Sequence, residues 1–114
     1  MYLHIEKSIR DKIEELRTNN EKIILNLNDG AGKFSDNKAS CALDLYFDIL
    51  LVNPNEDLHE YGEMLSSDIG PIFMKPYSSV YLEQENTLKK GSLGVNVLAG
   101  EKSGIICHDV KIKK

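Results

Sequence analysis

The chain has little cysteine: Cys41 and Cys107 are its two sulfur donors in 114 residues. It contains no CxxC, no HExxH and no Cys/His cluster at zinc-finger spacing, so a self-contained tetrahedral metal site is not written into it. It also lacks a long apolar run. The longest stretch, 49–52, falls far short of a membrane span. The opening "MYLHIEKSIRDKIEELR" carries charge from Glu6 onward, with no apolar signal core. The expected location is therefore the cytoplasm, where the two cysteines would be thiols rather than a disulfide. Basic excess is absent too. A net charge of −4 argues against binding a phosphate backbone. The "KIKK" ending is too short to change this and is expected to be a solvated end.

What is present is enough for one domain, 1–114, with a single core. Residues 2–5 read as a short extended start. A helix is expected over 8–17, because Ile5, Ile9, Ile13 and Leu16 recur at three- and four-residue steps and form one apolar stripe. "TNN" at 18–20 should stop it. In "EKIILNLND", Ile23, Leu25 and Leu27 alternate onto one strand face. In "CALDLYFDILLV", Cys41, Leu43, Leu45, Phe47, Ile49 and Leu51 share one face, and Ala42, Asp44, Tyr46 and Asp48 the other. "NPNEDLHEYGE" is turn chemistry. "EMLSSD" and "GPIFMKP" read as short strands, the second either an edge or a strand that starts beside a bend, because Pro71 and Pro76 bracket it. "YSSVYLEQE" suggests one or two helical turns with Val80, Tyr81 and Leu82 as a buried corner. The remainder reads as a β-meander with turns at "KKGS" and "AGEKSG". Its last strand would place Ile106, His108, Val110 and Ile112 on one face. The expected class is α+β, mostly β: one N-terminal amphipathic helix packed on short, mainly antiparallel strands.

Motifs for catalysis are missing. "GAGKF" at 30–34 carries a lysine but no following hydroxyl. The next element is a strand, not the helix whose amides a phosphate needs, so the glycine turn is a β–β connection rather than a cradle. Ser35, Ser40, Ser66 and Ser67 sit in no nucleophile elbow. His4 and His59 have no nucleophile near them in sequence. His108 adjoins Cys107, but strand neighbours point to opposite faces. Asp44 and Asp48 share a face as a carboxylate pair could, and a solvated outer face accounts for them equally. For Cys41 and Cys107 the spacing alone favours small buried hydrophobes over thiolate ligands.

The order of these parts resembles the HesB/IscA-like iron–sulfur cluster biosynthesis family, the A-type carriers, and within it short Gram-positive bacterial members. "YLHIEKSIRDKIEEL" is similar to that family's short strand and amphipathic helix. "IILNLNDGAGKFSDNKASCALDL" sits where the family has a strand, a glycine-rich turn and its first ligand cysteine. "IGPIFMKPYSSVYLEQENTLKKGSLGVNV" resembles its later strand, serine-containing turn and following strands. The resemblance implies a compact β-rich fold and a non-enzymatic role in receiving, holding or passing iron or an iron–sulfur cluster. It implies Cys41 as the ligand after the glycine turn, although "KASCAL" replaces the family's "GGCSG". The family's C-terminal Cys-Gly-Cys is absent. Cys107 stands alone in "SGIICHDVKIKK", so metal ligation by Cys41 and Cys107 would reach four ligands only in a homodimer, or with His, carboxylate or an external thiol completing the shell. Iron–sulfur assembly proteins are the implied partners. The alternative is a metal-free structural or interaction module that keeps the fold, with "NPNEDLHEYGE" or a strand edge as its partner surface.

Overall fold

The computed structural model describes residues 1–28 and 46–114. The 30–32 glycine turn, Cys41, Asp44 and the expected strand start at 41–45 lie outside the described residues. Within them the class is as expected: α+β and mostly β, with one main helix. The elements are β1 (Tyr2–Ile5), α1 (Lys7–Leu16), β2 (Lys22–Leu27), β3 (Phe47–Val52), β4 (Glu63–Ser67), β5 (Ile72–Met74), β6 (Glu85–Lys90), β7 (Asn96–Gly100), β8 (Gly104–Cys107) and β9 (Lys111–Lys113). A 3₁₀ turn covers Pro76–Tyr81 and a shorter one Ser92–Gly94.

The nine strands form one mixed sheet in the order β8-β7-β6-β1-β4-β5-β2-β3-β9. Antiparallel pairs (β2 with β3, β4 with β5, β6 with β7, β7 with β8) are joined by parallel ones. β1 lies parallel to both β4 and β6, so the short N-terminal stretch becomes an interior strand. The sheet must curl. β8 and β9 are its outermost strands, yet residues 108–110 are all that separate them along the chain. Those few residues span at most about 14 Å, whereas the edges of a flat nine-stranded sheet would stand about 38 Å apart. Asn96 at the start of β7 ties this crossing down. Its carbonyl accepts the Val110 amide at 2.8 Å, and its side-chain amide donates to the Val110 carbonyl at 3.0 Å.

Curling gathers one core on the concave side. Leu3 and Ile5 of β1, Ile23, Leu25 and Leu27 of β2, and Phe47, Ile49 and Leu51 of β3 meet Leu65, Ile72, Leu88 and Leu98 there. Helix α1 adds Ile9 and Ile13, with Leu16 packed at the edge, as the stripe predicts. Asn20, at φ 55, takes the left-handed turn that ends the helix segment. A smaller cluster forms on the convex face of β2, β3 and β5. There Ile24 and Leu50 pack beneath Tyr61 and Leu58, which come from the connection after β3.

Three sequence expectations are corrected. β5 starts beside the bend at Gly70, as one of its two readings had it, but it is an interior strand between β4 and β2 rather than an edge: Pro71 and Pro76 flank Ile72–Met74 and remove no ladder donor within it. In the Pro76–Tyr81 turn Leu82 is buried, but Val80 is 75% exposed and Tyr81 is exposed, because a 3₁₀ turn cannot bury three consecutive side chains on one side. The expected last strand is two strands. The chain breaks at His108–Asp109, so Cys107 and Val110, of opposite parity, both enter the core. The lysines of the "KIKK" end are exposed, as expected of a solvated end, while the segment is tied to the fold. Ile112 packs on the core within β9, and Lys114 reaches Glu21 at 3.1 Å and the Thr18 hydroxyl at 2.7 Å.

Candidate functional site

Two strands bound the segment that bears Cys41 in the sequence. β2 ends at Leu27 and β3 begins at Phe47, so the segment bearing Cys41 leaves one strand and returns on its neighbour. The junction is fastened on the convex face. The Asn28 amide donates to the Tyr46 carbonyl at 2.7 Å, and the Asn28 side chain donates to Asp48 at 2.8 Å. Asn26 is the register partner of Asp48, and its side-chain oxygen accepts the Tyr61 hydroxyl at 3.0 Å. Lys75, directly after β5, is 2% exposed and donates to the Leu27 carbonyl at 2.9 Å. Two asparagines, an aspartate, a lysine and a tyrosine hydroxyl are thus buried together where a wholly apolar face would serve a plain β-hairpin. Buried polar groups are retained where their hydrogen bonds are made, and here the bonds fix both ends of one connection.

This arrangement corrects the reading of Asp48 as part of a solvated face. Asp48 is buried, with Asn28 on one side and Lys113 at 3.4 Å on the other. Lys75 was not singled out in the sequence, nor were Asn26 and Asn28. Their signal was available in principle: each follows the parity of the convex face of its strand, opposite the core-facing leucines and isoleucines. Tyr61 sits in the acidic turn segment considered as a partner surface, yet it is 1% exposed and anchors the convex cluster.

Cys107 closes β8 opposite Leu98 and is a free thiol, 3% exposed within the apolar core. His108 beside it lies past the end of β8 and is exposed. His4 pairs with Glu85 at 3.2 Å and His59 with Asp57 at 3.1 Å, each at the surface. Among the described residues no group of three or more His, Cys, Asp or Glu side chains could hold a metal ion. The described residues therefore supply a framework and one thiol, not a complete ligand set for a cluster.

The model of the family described as "Iron-sulphur cluster biosynthesis" matches residues 1–114. The chain belongs to that family. The HesB/IscA-like resemblance of its sequence fits this match. A solved structure described as a "putative Fe-S biosynthesis protein from Lactobacillus salivarius with novel protein fold" superposes with a TM-score of 0.83 at 22% identity, over 99% of this chain and 97% of that one. A second, from Lactobacillus acidophilus and described in the same functional terms, gives 0.70 at 16% identity over 100% and 90%. At these identities the two establish a shared fold. Comparison with curated proteins found no match.

Proposed function

We propose that the protein is a non-enzymatic carrier or scaffold that receives and passes iron or an iron–sulfur cluster, with Cys41 as its principal thiolate ligand. The observation that carries this reading is the β2–β3 junction: within an iron–sulphur cluster biosynthesis family member, buried hydrogen bonds from Asn28 to Asp48 and from Lys75 to the Leu27 carbonyl fasten the two strand ends that bound the segment bearing Cys41 in the sequence. Anchored strand ends reduce the ordering cost of ligand binding by the residues between them. Two cysteines per chain give four thiolates in a homodimer, the number a cluster ordinarily takes. The reading places the protein in the cytoplasm among iron–sulfur assembly partners.

A second reading is favoured by one observation. Cys107 is packed against Leu98 inside the core, where a thiol behaves as a small apolar residue and reaches a metal only if β8 opens. In that reading the fold serves as an interaction module without a cluster. The two readings separate on anaerobic reconstitution with ferrous iron and sulfide, following visible absorbance and iron-to-protein ratio for wild type, Cys41→Ala and Cys107→Ala. The carrier reading expects charge-transfer absorbance lost in Cys41→Ala. Equal and non-stoichiometric uptake by all three proteins would reject it.

A further inference from the structure

A cleft of about 470 Å³ opens where helix α1, the β6–β7 connection and the β8–β9 crossing meet. That volume lies within the range of small-molecule sites. Its apolar lining comes from Ile9 of α1, Val95 before β7, and Val110 and Ile112 around β9. Each of the same three regions also contributes a lysine: Lys12, Lys90 and Lys111. All three are exposed. The chain as a whole carries a net charge of −4, so three ammonium groups around one apolar hollow run against its average.

Two acids at the cleft, Asp109 and Glu6, are already engaged. Asp109, also in the lining, pairs with Lys111 at 2.8 Å. Glu6 turns its carboxylate to the Ser8 hydroxyl at 3.1 Å and the Lys90 amide at 3.0 Å. The Lys90 ammonium has a carbonyl, Gly94, at 3.4 Å and no carboxylate among the described residues. Lys12 has neither a hydrogen bond nor an ion pair there. Two uncompensated cations in the lining of one cleft favour negative charge there, and ammonium groups suit oxyanions as compact point charges.

The geometry points to this cleft as a binding site for a small molecule bearing phosphate or carboxylate groups, held by Lys12 and Lys90 with Lys111 at the rim and its carbon skeleton against Ile9, Val95 and Ile112. The site is independent of Cys41, and its test needs no iron. Full-length ¹⁵N-labelled protein is titrated with sodium tripolyphosphate, and separately with the tricarboxylate tricarballylate, at constant ionic strength, with sodium chloride as control. Saturable amide shifts are expected at Ile9, Lys12, Val95, Asn96 and 109–112, and the tighter of the two probes identifies the anion class. Lys12→Gln or Lys90→Gln should each weaken binding about threefold and the pair about tenfold. Lys7→Gln, whose lysine pairs with Asp11 outside the cleft, should change nothing. These exposed lysines can be replaced without unfolding the chain, as a thermal melt of each variant would verify. Linear, unsaturated shifts, shifts reproduced by chloride, or equal affinity in the double variant would overturn the assignment.

Discussion

At the scale of single residues, the most unusual backbone position among the described residues is Leu93. It lies at the tip of the β6–β7 connection, fully exposed, with φ 63 and ψ 16. A branched apolar side chain in the left-handed region gives up roughly 1 kcal/mol relative to residues that adopt it readily, and here no burial compensates. Leu93→Asn should therefore stabilise the protein by about 0.5–1 kcal/mol, read as a raised urea midpoint with an unchanged slope. A lowered midpoint would mean that Leu93 makes a stabilising contact in solution. Sequence alone could not mark this residue: "KKGSLG" announces a turn, and which member takes positive φ depends on the register of β6 against β7. Residues whose role follows from periodicity were legible. Ile9, Ile13, Ile23, Leu25, Phe47 and Ile49 all reach the core as their spacing requires. Residues whose role depends on a long-range partner were not, as Lys75 shows, since its acceptor at Leu27 is distant in sequence.

At the scale of elements, the β2–β3 junction is where polar and apolar logic meet. The two strands pair from Lys22–Val52 to Leu27–Phe47, and their concave residues would hold them together without assistance. The convex polar residues act at one end, where Asn28 bonds both to Tyr46 and to Asp48. Asn28→Ala removes the donor to a buried carboxylate and leaves Lys113, at 3.4 Å, as its described partner. The expected loss is about 1.5–3 kcal/mol, the range for hydrogen bonds to charged groups. Adding Asp48→Asn should recover part of it, because a neutral amide is less costly to leave under-bonded in a buried place. The four proteins of this cycle, compared by urea unfolding, should give a coupling clearly different from zero. Strict additivity would mean that the two side chains do not act as one fastening. Most elements were legible from alternation and turn residues. The division of the final strand into β8 and β9 was not. It follows from closure of the sheet, which requires the chain to leave β7's side and pair with β3 within three residues.

At the scale of the whole molecule, three carboxylates act at seams that the curled sheet brings together. Asp68, after β4, accepts the Ile5 amide and the Tyr2 hydroxyl, both at 2.7 Å, and these bonds hold its pKa below the usual range. Glu83 accepts the Ser103 hydroxyl and the amides of Lys102 and Ser103, which fix the β7–β8 turn and lower its pKa likewise. Glu21 joins the end of α1 to the C-terminal strand. It accepts the Asn19 amide at 2.8 Å, lies 3.1 Å from the Lys114 ammonium, and has its pKa lowered from 4.5 to about 2, chiefly by the Asn19 bond. A carboxylate that ionises more readily folded than unfolded stabilises the fold fully above its unfolded pKa, and the contribution fades as pH falls through the folded value. Stability should therefore be level near neutrality and decline as pH drops from about 4.5 towards 2. Glu21→Gln should be less stable than wild type at pH 7, and the gap should close across this interval. Urea midpoints of the two proteins at matched ionic strength from pH 7 to 2 would show the convergence. A gap that stayed constant to pH 2 would mean that the Glu21 side chain stabilises the fold by its shape rather than its charge, and that the link between α1 and β9 owes nothing to ionisation.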